Sequence, residues 1–194
     1  MEKAQKIKAF EEELKFIVNP QIKLFAETAI GGVPDYFFII PSSSTGKYHS
    51  QYALGDSGLL RHVKACARFV IECFRLEWYS DFTSDEKDLI IVALLLHDSF
   101  KSGWPQEKWT RDDHPVLASN YIKSEELKNI ISDEYVNFIA DGILSHMGAW
   151  NLNKAKVEIM PKPSSKAQKL IHFVDYVCSR RMFEVNFNSE VRRD

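Results

Sequence analysis

The chain contains six histidines, and one of them stands beside an aspartate at the end of an apolar run. The segment Ala93-Leu-Leu-Leu-His97-Asp98 places an imidazole and a carboxylate where the chain must be buried. A buried carboxylate without a partner costs several kcal/mol, so Asp98 requires either a metal ion or a cationic side chain. Imidazole and carboxylate together suit Mn, Fe, Co, Ni or Zn, whereas a salt bridge to a buried Arg or Lys is the alternative.

Other residues of the same types recur in apolar helical patterns along the chain. Asp175 lies within Ile171-His-Phe-Val-Asp175 and also needs a buried partner. His62 lies near the start of a predicted long helix, and an antiparallel helix pair would bring it beside His97. His172, three residues before Asp175, shares a helix face with it and is interpreted as a core histidine, with a role in supporting the ligands as the alternative. His114 and His146 fall at the start and the end of two further predicted helices.

Helical spacing dominates the elements that must position these residues. The segment 89–96 is apolar on all sides, which predicts a central buried helix that begins with Ser84 as its cap. Residues 36–40 are the best strand candidate, or else a buried extended segment. We expect helices at 2–17, 21–29, 59–77, 84 to about 103, 114–123, 125–130, 132–146 and 164–183.

Composition limits the class of protein. The 194 residues suit one domain, in which an N-terminal extension, 1–57, packs on a core, 58–194. The net charge of −2 argues against a general nucleic-acid coat and against a membrane-surface protein. The apolar run 89–96 is far shorter than the ~20 residues that span a bilayer. Three cysteines without a CxxC motif predict reduced, buried thiols, and with the absence of a signal peptide they predict a cytoplasmic protein.

The order of the histidines and aspartates resembles that of the HD-domain superfamily of metal-dependent phosphohydrolases. The resemblance covers residues 58–183. It is carried by Gly58-Leu-Leu-Arg-His62, Ala93-Leu-Leu-Leu-His97-Asp98-Ser-Phe-Lys101, Ile143-Leu-Ser-His146 and Ile171-His-Phe-Val-Asp175. The chain departs from the family where Phe100 replaces a frequent glycine, and the HD-GYP signature is absent, so no subfamily is indicated.

The resemblance implies an all-α helical bundle that hydrolyses a phosphoester of a nucleotide or oligonucleotide through a metal-activated water. It implies one or two divalent transition metal ions, with Asp98 shared between them. Lys101 would neutralise charge on the phosphate, although a solvated lysine is the alternative. The ligands implied for the first ion are His62, His97, Asp98 and Asp175, and those that complete the second are His114 and His146.

The loop 41–49 is rich in hydroxyls and carries one cation, as a phosphate-binding loop requires. Pro41 and Tyr48 exclude a nucleoside-triphosphate P-loop, and a plain solvated connection is the alternative. The tryptophans at 104, 109 and 150 flank the site segments and suit either base stacking or core packing. The candidate substrate contacts are Ser44, Thr45, Lys47, His49, Arg61 and Trp150.

Two other functions compete with the enzyme. A catalytically silent HD module would bind a nucleotide or a protein partner, and a structural metal protein would close the coordination shell of its ion. The expected partner is a small anionic phosphorylated molecule, and the sequence allows a homodimer. The metal, and the choice between a monoester and a diester, stay open.

Overall fold

The computed structural model describes residues 1–43, 45–47 and 49–188, and all regular structure in them is helical. The predicted all-α fold is confirmed. In this part of the chain no helix is long and apolar enough to cross a membrane. The α-helices are α1 (Lys3–Lys8), α2 (Glu11–Leu14), α3 (Pro20–Gly32), α4 (Gly58–Cys73), α5 (Ser84–Leu96), α6 (His114–Ile122), α7 (Asp133–Ser145) and α8 (Lys166–Cys178).

Helix α5 is the centre of the bundle and packs against α3, α4, α7 and α8. Every side chain from Leu89 to Leu96 is at most 1% exposed, which confirms that this helix is buried, but α5 ends at Leu96 and not near the predicted residue 103. The cap is Thr83 rather than Ser84. The Thr83 hydroxyl accepts a hydrogen bond from the Glu86 amide at 3.1 Å, and the Glu86 carboxylate accepts one from the Thr83 amide at 2.8 Å.

Buried polar contacts fix the N-terminal helices to the helices that carry the site. The fully buried carboxylate of Glu13 on α2 lies 3.0 Å from the Lys64 ammonium and 2.8 Å from the Arg68 guanidinium, both on α4. Asp88 on α5 accepts hydrogen bonds from the amides of Val18 and Asn19 at 3.0 and 2.7 Å. Residues 1–32 therefore contribute to one core with α4 and α5.

Some predicted elements differ from the structure. The strand candidate at 36–40 forms a 3-10 helix, Asp35–Phe38, whose aromatic side chains are buried. The predicted helix at 2–17 is divided into α1 and α2, and residues 125–130 form turns. Residues 51–53, 77–79 and 148–150 form further 3-10 helices.

Candidate metal centre

Six side chains from five helical regions meet beside the C-terminal end of α5. His62 lies near the start of α4, His97 and Asp98 follow α5, and His114 begins α6. His146 follows α7, and Asp175 lies in α8. The four imidazoles and Asp98 are all at most 2% exposed. The side chains that the sequence analysis singled out as ligands are thus brought together.

Three of the imidazoles are oriented by the main chain. The Nδ1 atoms of His97, His114 and His146 lie 2.8, 2.7 and 2.7 Å from the carbonyl oxygen three residues earlier. A carbonyl oxygen only accepts, so Nδ1 is the donor in each bond. Nε2 of the neutral ring then carries the lone pair and faces the cluster, which is the arrangement that metal-binding histidines use.

The donor atoms form two overlapping groups, each of which can hold a metal ion. One group contains His62, His97 and Asp175, the other contains His97, Asp98 and His146, and the atoms of each group lie within 4.8 Å of one another. His97 Nε2 lies 3.4 Å from Asp175 Oδ1 and 3.5 Å from Asp98 Oδ2. His114 Nε2 lies 3.0 Å from Asp98 Oδ1, beside the second group.

Not every short distance within the cluster is a hydrogen bond, although His62 Nε2 and Asp175 Oδ1 form one at 3.0 Å. Among the described residues, the buried atoms His97 Nε2 and Asp98 Oδ1 have no hydrogen-bond partner. Each lies within 3.5 Å of a polar atom of another ligand side chain. Unsatisfied buried atoms are costly, and a shared cation would satisfy both at once. Imidazole nitrogen and carboxylate oxygen suit a transition metal ion, so the residues fit this group.

The two carboxylates of the cluster are held in their ionised form. Burial opposes the ionisation of Asp98, but the charges of Lys101 and His97 outweigh it and hold the pKa of Asp98 well below its usual range. For Asp175, burial is outweighed by the contacts with His62 and His97, and its pKa is also lowered well below the usual range. Both groups are therefore anionic at neutral pH.

A cavity of about 580 Å³ opens over the cluster. Asp98, His114, His146 and Asp175 line it, and Lys101 lies on its wall with its ammonium 2.5 Å from Asp98 Oδ2. The volume lies within the range of ~300–1,000 Å³ that is common for small-molecule sites. The ligand side chains thus have access to a space that a small molecule can enter.

An aromatic pair forms another part of the cavity wall. Trp150 stacks on Tyr176 with ring centroids 5.6 Å apart and an interplanar angle of 14°. Trp150 is 54% exposed, and Trp104 and Trp109 are 70% and 56% exposed. Core packing, one of the two alternatives for these three tryptophans, is therefore wrong, because each residue leaves more than half of its surface open to solvent.

His172 is a cavity residue that the sequence analysis assigned to the core. Its Nδ1 donates a hydrogen bond to the His146 carbonyl at 2.7 Å, and its ring approaches Gly148 so closely that a Cβ there would lie 2.2 Å away. Gly148 also has a φ of +58°, which favours glycine. The signal in the sequence was the three-residue spacing to Asp175, which places both residues on one helix face.

The candidate substrate contacts are spread over different environments. His49 lines the cavity, and its ring packs edge-to-face on His62 with centroids 5.4 Å apart. Burial, followed by the charges of His62 and Lys101, lowers the pKa of His49 to about 3, so the ring is neutral. Trp150 lines the same cavity.

The remaining candidates lie elsewhere. Arg61 donates hydrogen bonds to the carbonyls of Tyr52 and Leu54, so its guanidinium holds residues 52–54 against α4. Thr45 and Lys47 are exposed and are not among the described residues that line the cavity. Ser44 lies outside the described residues. Substrate binding by these residues stays a prediction.

Comparison of the chain with protein-family models, with curated proteins and with solved structures gives no match.

Proposed function

We propose that this chain is a metal-dependent phosphohydrolase of the HD-domain superfamily that acts on a phosphoester of a nucleotide. One observation carries the proposal. Three imidazoles, each oriented by a main-chain carbonyl, direct Nε2 toward two ionised carboxylates, and most of these ligand side chains line a cavity. A purely structural metal site would instead be closed by its protein ligands.

Bound at these residues, a divalent transition metal would lower the pKa of a water molecule and polarise the phosphoryl group. His62, His97, Asp98 and Asp175 would hold it. Lys101 is 13% exposed, and its contact with Asp98 Oδ2 fixes its ammonium at the cavity wall. In this position Lys101 would offset the negative charge that builds on the phosphoryl oxygens as the ester bond breaks.

The cavity wall supports a nucleotide rather than a bare phosphate. The stacked pair of Trp150 and Tyr176 offers a planar surface to a base, and base stacking on an aromatic side chain is worth about 1–3 kcal/mol. The Arg180 guanidinium lies 4.5 Å from the Tyr176 ring centroid and adds a second cation to the wall. A silent binding module would not need all six ligand side chains, so their presence together favours the enzyme.

The proposal is tested by removing and restoring the metal. The purified protein should contain Mn, Fe, Co, Ni or Zn by elemental analysis, and a chelator should abolish hydrolysis of a panel of nucleotide monoesters and diesters. Addition of Mn²⁺ should restore it. A stripped protein that regains metal but hydrolyses no phosphoester would contradict the enzyme and favour a structural or binding role.

We further expect a second metal position that depends on His146. His146→Ala should lower the Mn²⁺ stoichiometry from about two toward about one and reduce hydrolysis, because a second ion held by this residue would supply additional stabilisation of negative charge on the phosphoryl group. His172→Ala is the matched control, since it removes a neighbouring imidazole that lies outside both groups of donors. Stoichiometry measured by elemental analysis decides. An unchanged value in His146→Ala would contradict a second ion held by this residue.

A further inference from the structure

We infer that the substrate is a phosphodiester with a planar ring on each side of the phosphate, the chemistry of a dinucleotide. The inference deepens the proposed function and rests on it. It starts from a second recess of about 210 Å³, which shares the lining residues Lys101 and Thr110 with the cavity over the candidate metal centre. Lys101, the ionic partner of Asp98, therefore belongs to the wall of both spaces.

The second recess has its own aromatic and cationic wall. Trp109 lines it and is 56% exposed, and the Lys108 ammonium lies 5.1 Å from a Trp109 ring centroid. Lys101 and Lys108 are both lining residues, so the recess presents two cations beside one indole. An indole with adjacent ammonium groups suits a planar ring that carries a phosphate.

Each of the two spaces that share Lys101 contains one largely exposed indole. Trp150 in the larger cavity is supported by Tyr176, and Trp109 in the recess is supported by Lys108. More than half of each indole stays exposed. A phosphate beside Lys101 would have one aromatic surface in each space. A monoester would leave one of these surfaces without a ring, whereas a diester with two rings would use both.

Main-chain hydrogen bonds fix Trp109 relative to the metal centre. The segment leaves the site at Lys101 and returns at Arg111, whose amide donates to the Lys101 carbonyl at 2.9 Å. The Arg111 carbonyl in turn accepts the hydrogen bond from Nδ1 of His114. The loop that presents the indole thus begins and ends at residues in contact with candidate ligands, so its position is coupled to theirs.

Two synthetic diesters with the same leaving group test the inference. Phenyl 4-nitrophenyl phosphate has a ring on each side, and methyl 4-nitrophenyl phosphate has only one. In the Mn²⁺-loaded protein we expect kcat/KM to favour the phenyl ester, beyond the ratio of the uncatalysed rates, by about five- to 140-fold. Trp109→Ala and Trp150→Ala should each remove this preference, mainly through KM, because either variant keeps a single aromatic surface. Trp78→Ala is the matched control, since this indole is 75% exposed and lines neither space.

The other outcomes contradict either the inference of a two-ring diester or the proposed phosphohydrolase function. Equal kcat/KM for the two diesters, or a preference that survives in both variants, would overturn the inference and leave the proposed function standing, because 4-nitrophenolate is still released. Hydrolysis of the monoester 4-nitrophenyl phosphate but of neither diester would have the same meaning. Absence of Mn²⁺-dependent hydrolysis of all three esters would overturn the proposed function together with the inference.

Discussion

Replacement of Asp98 by asparagine is expected to abolish hydrolysis and to remove most of the bound metal. Asp98 lies between imidazoles proposed for the two ions, with Oδ2 4.0 Å from His62 Nε2 and Oδ1 3.0 Å from His114 Nε2. The amide is a neutral and weaker ligand, and it also leaves the Lys101 ammonium without its anionic partner. The loss of kcat/KM should exceed the roughly 10- to 100-fold that follows when a residue outside the coordination shell is removed.

A second buried aspartate provides the matched control for this variant. Asp88 is fully buried on α5, the helix that precedes Asp98, but its carboxylate accepts hydrogen bonds from the amides of Val18 and Asn19 and not from the cluster. Asp88→Asn should lower stability and retain the metal stoichiometry of the folded fraction, whereas Asp98→Asn should lose metal while circular dichroism still reports a helical protein. Equal metal content and equal activity in wild type and Asp98→Asn would rule out Asp98 as a ligand.

The part of the site that could be predicted from the sequence is the part governed by burial. An apolar run that ends in His97-Asp98 forces two ionisable groups into the core, and Asp175 within another apolar pattern does the same. Burial requires a partner for each of these groups, and their assignment to one common cluster is what the resemblance to the HD-domain superfamily implies. The structure brings them together because α4, α5, α7 and α8 pack against one another at this end.

Some residues were not assigned correctly from the sequence, because their structure or role depends on tertiary contacts that the hydrophobic periodicity of the chain does not reveal. Residues 36–38 are an aromatic run that fits a strand or a buried turn equally well, and the 3-10 hydrogen bonds decided between them. Arg61 lies beside His62 in the chain, yet its guanidinium is used by the carbonyls of residues 52 and 54. The exposure of Trp109 and Trp150 follows from the path of two loops, which composition does not encode.

The affinity for Mn²⁺ should fall steeply on acidification, because the metal-free cluster holds protons that the ion must displace. Burial opposes protonation of His62, but Cys66 and the hydrogen bond with Asp175 outweigh it and raise its pKa to about 9. Burial also opposes protonation of His97, and Asp98 and Asp175 outweigh it, so this pKa is raised as well. At a pH below the pKa of such a histidine, Mn²⁺ must displace one proton from it, and the apparent affinity for Mn²⁺ then falls about tenfold for each pH unit of acidification. Two such protons predict a loss approaching ~100-fold per pH unit below about pH 6.5.

The pKa shifts of these histidines and aspartates also determine how the stability of the metal-free protein changes with pH. A histidine with a raised pKa stabilises the metal-free fold fully below its unfolded value of about 6.5, and this contribution is lost as the pH rises toward 9. The lowered pKa values of Asp98 and Asp175 add stability that is already complete above about pH 4 and constant over this interval. The rise in Tm on adding Mn²⁺ at a fixed free concentration should therefore increase between pH 6 and pH 8.5. Calorimetric titration and thermal unfolding across this range measure both effects, and an affinity that is constant or increases on acidification would exclude these imidazoles as the ligands.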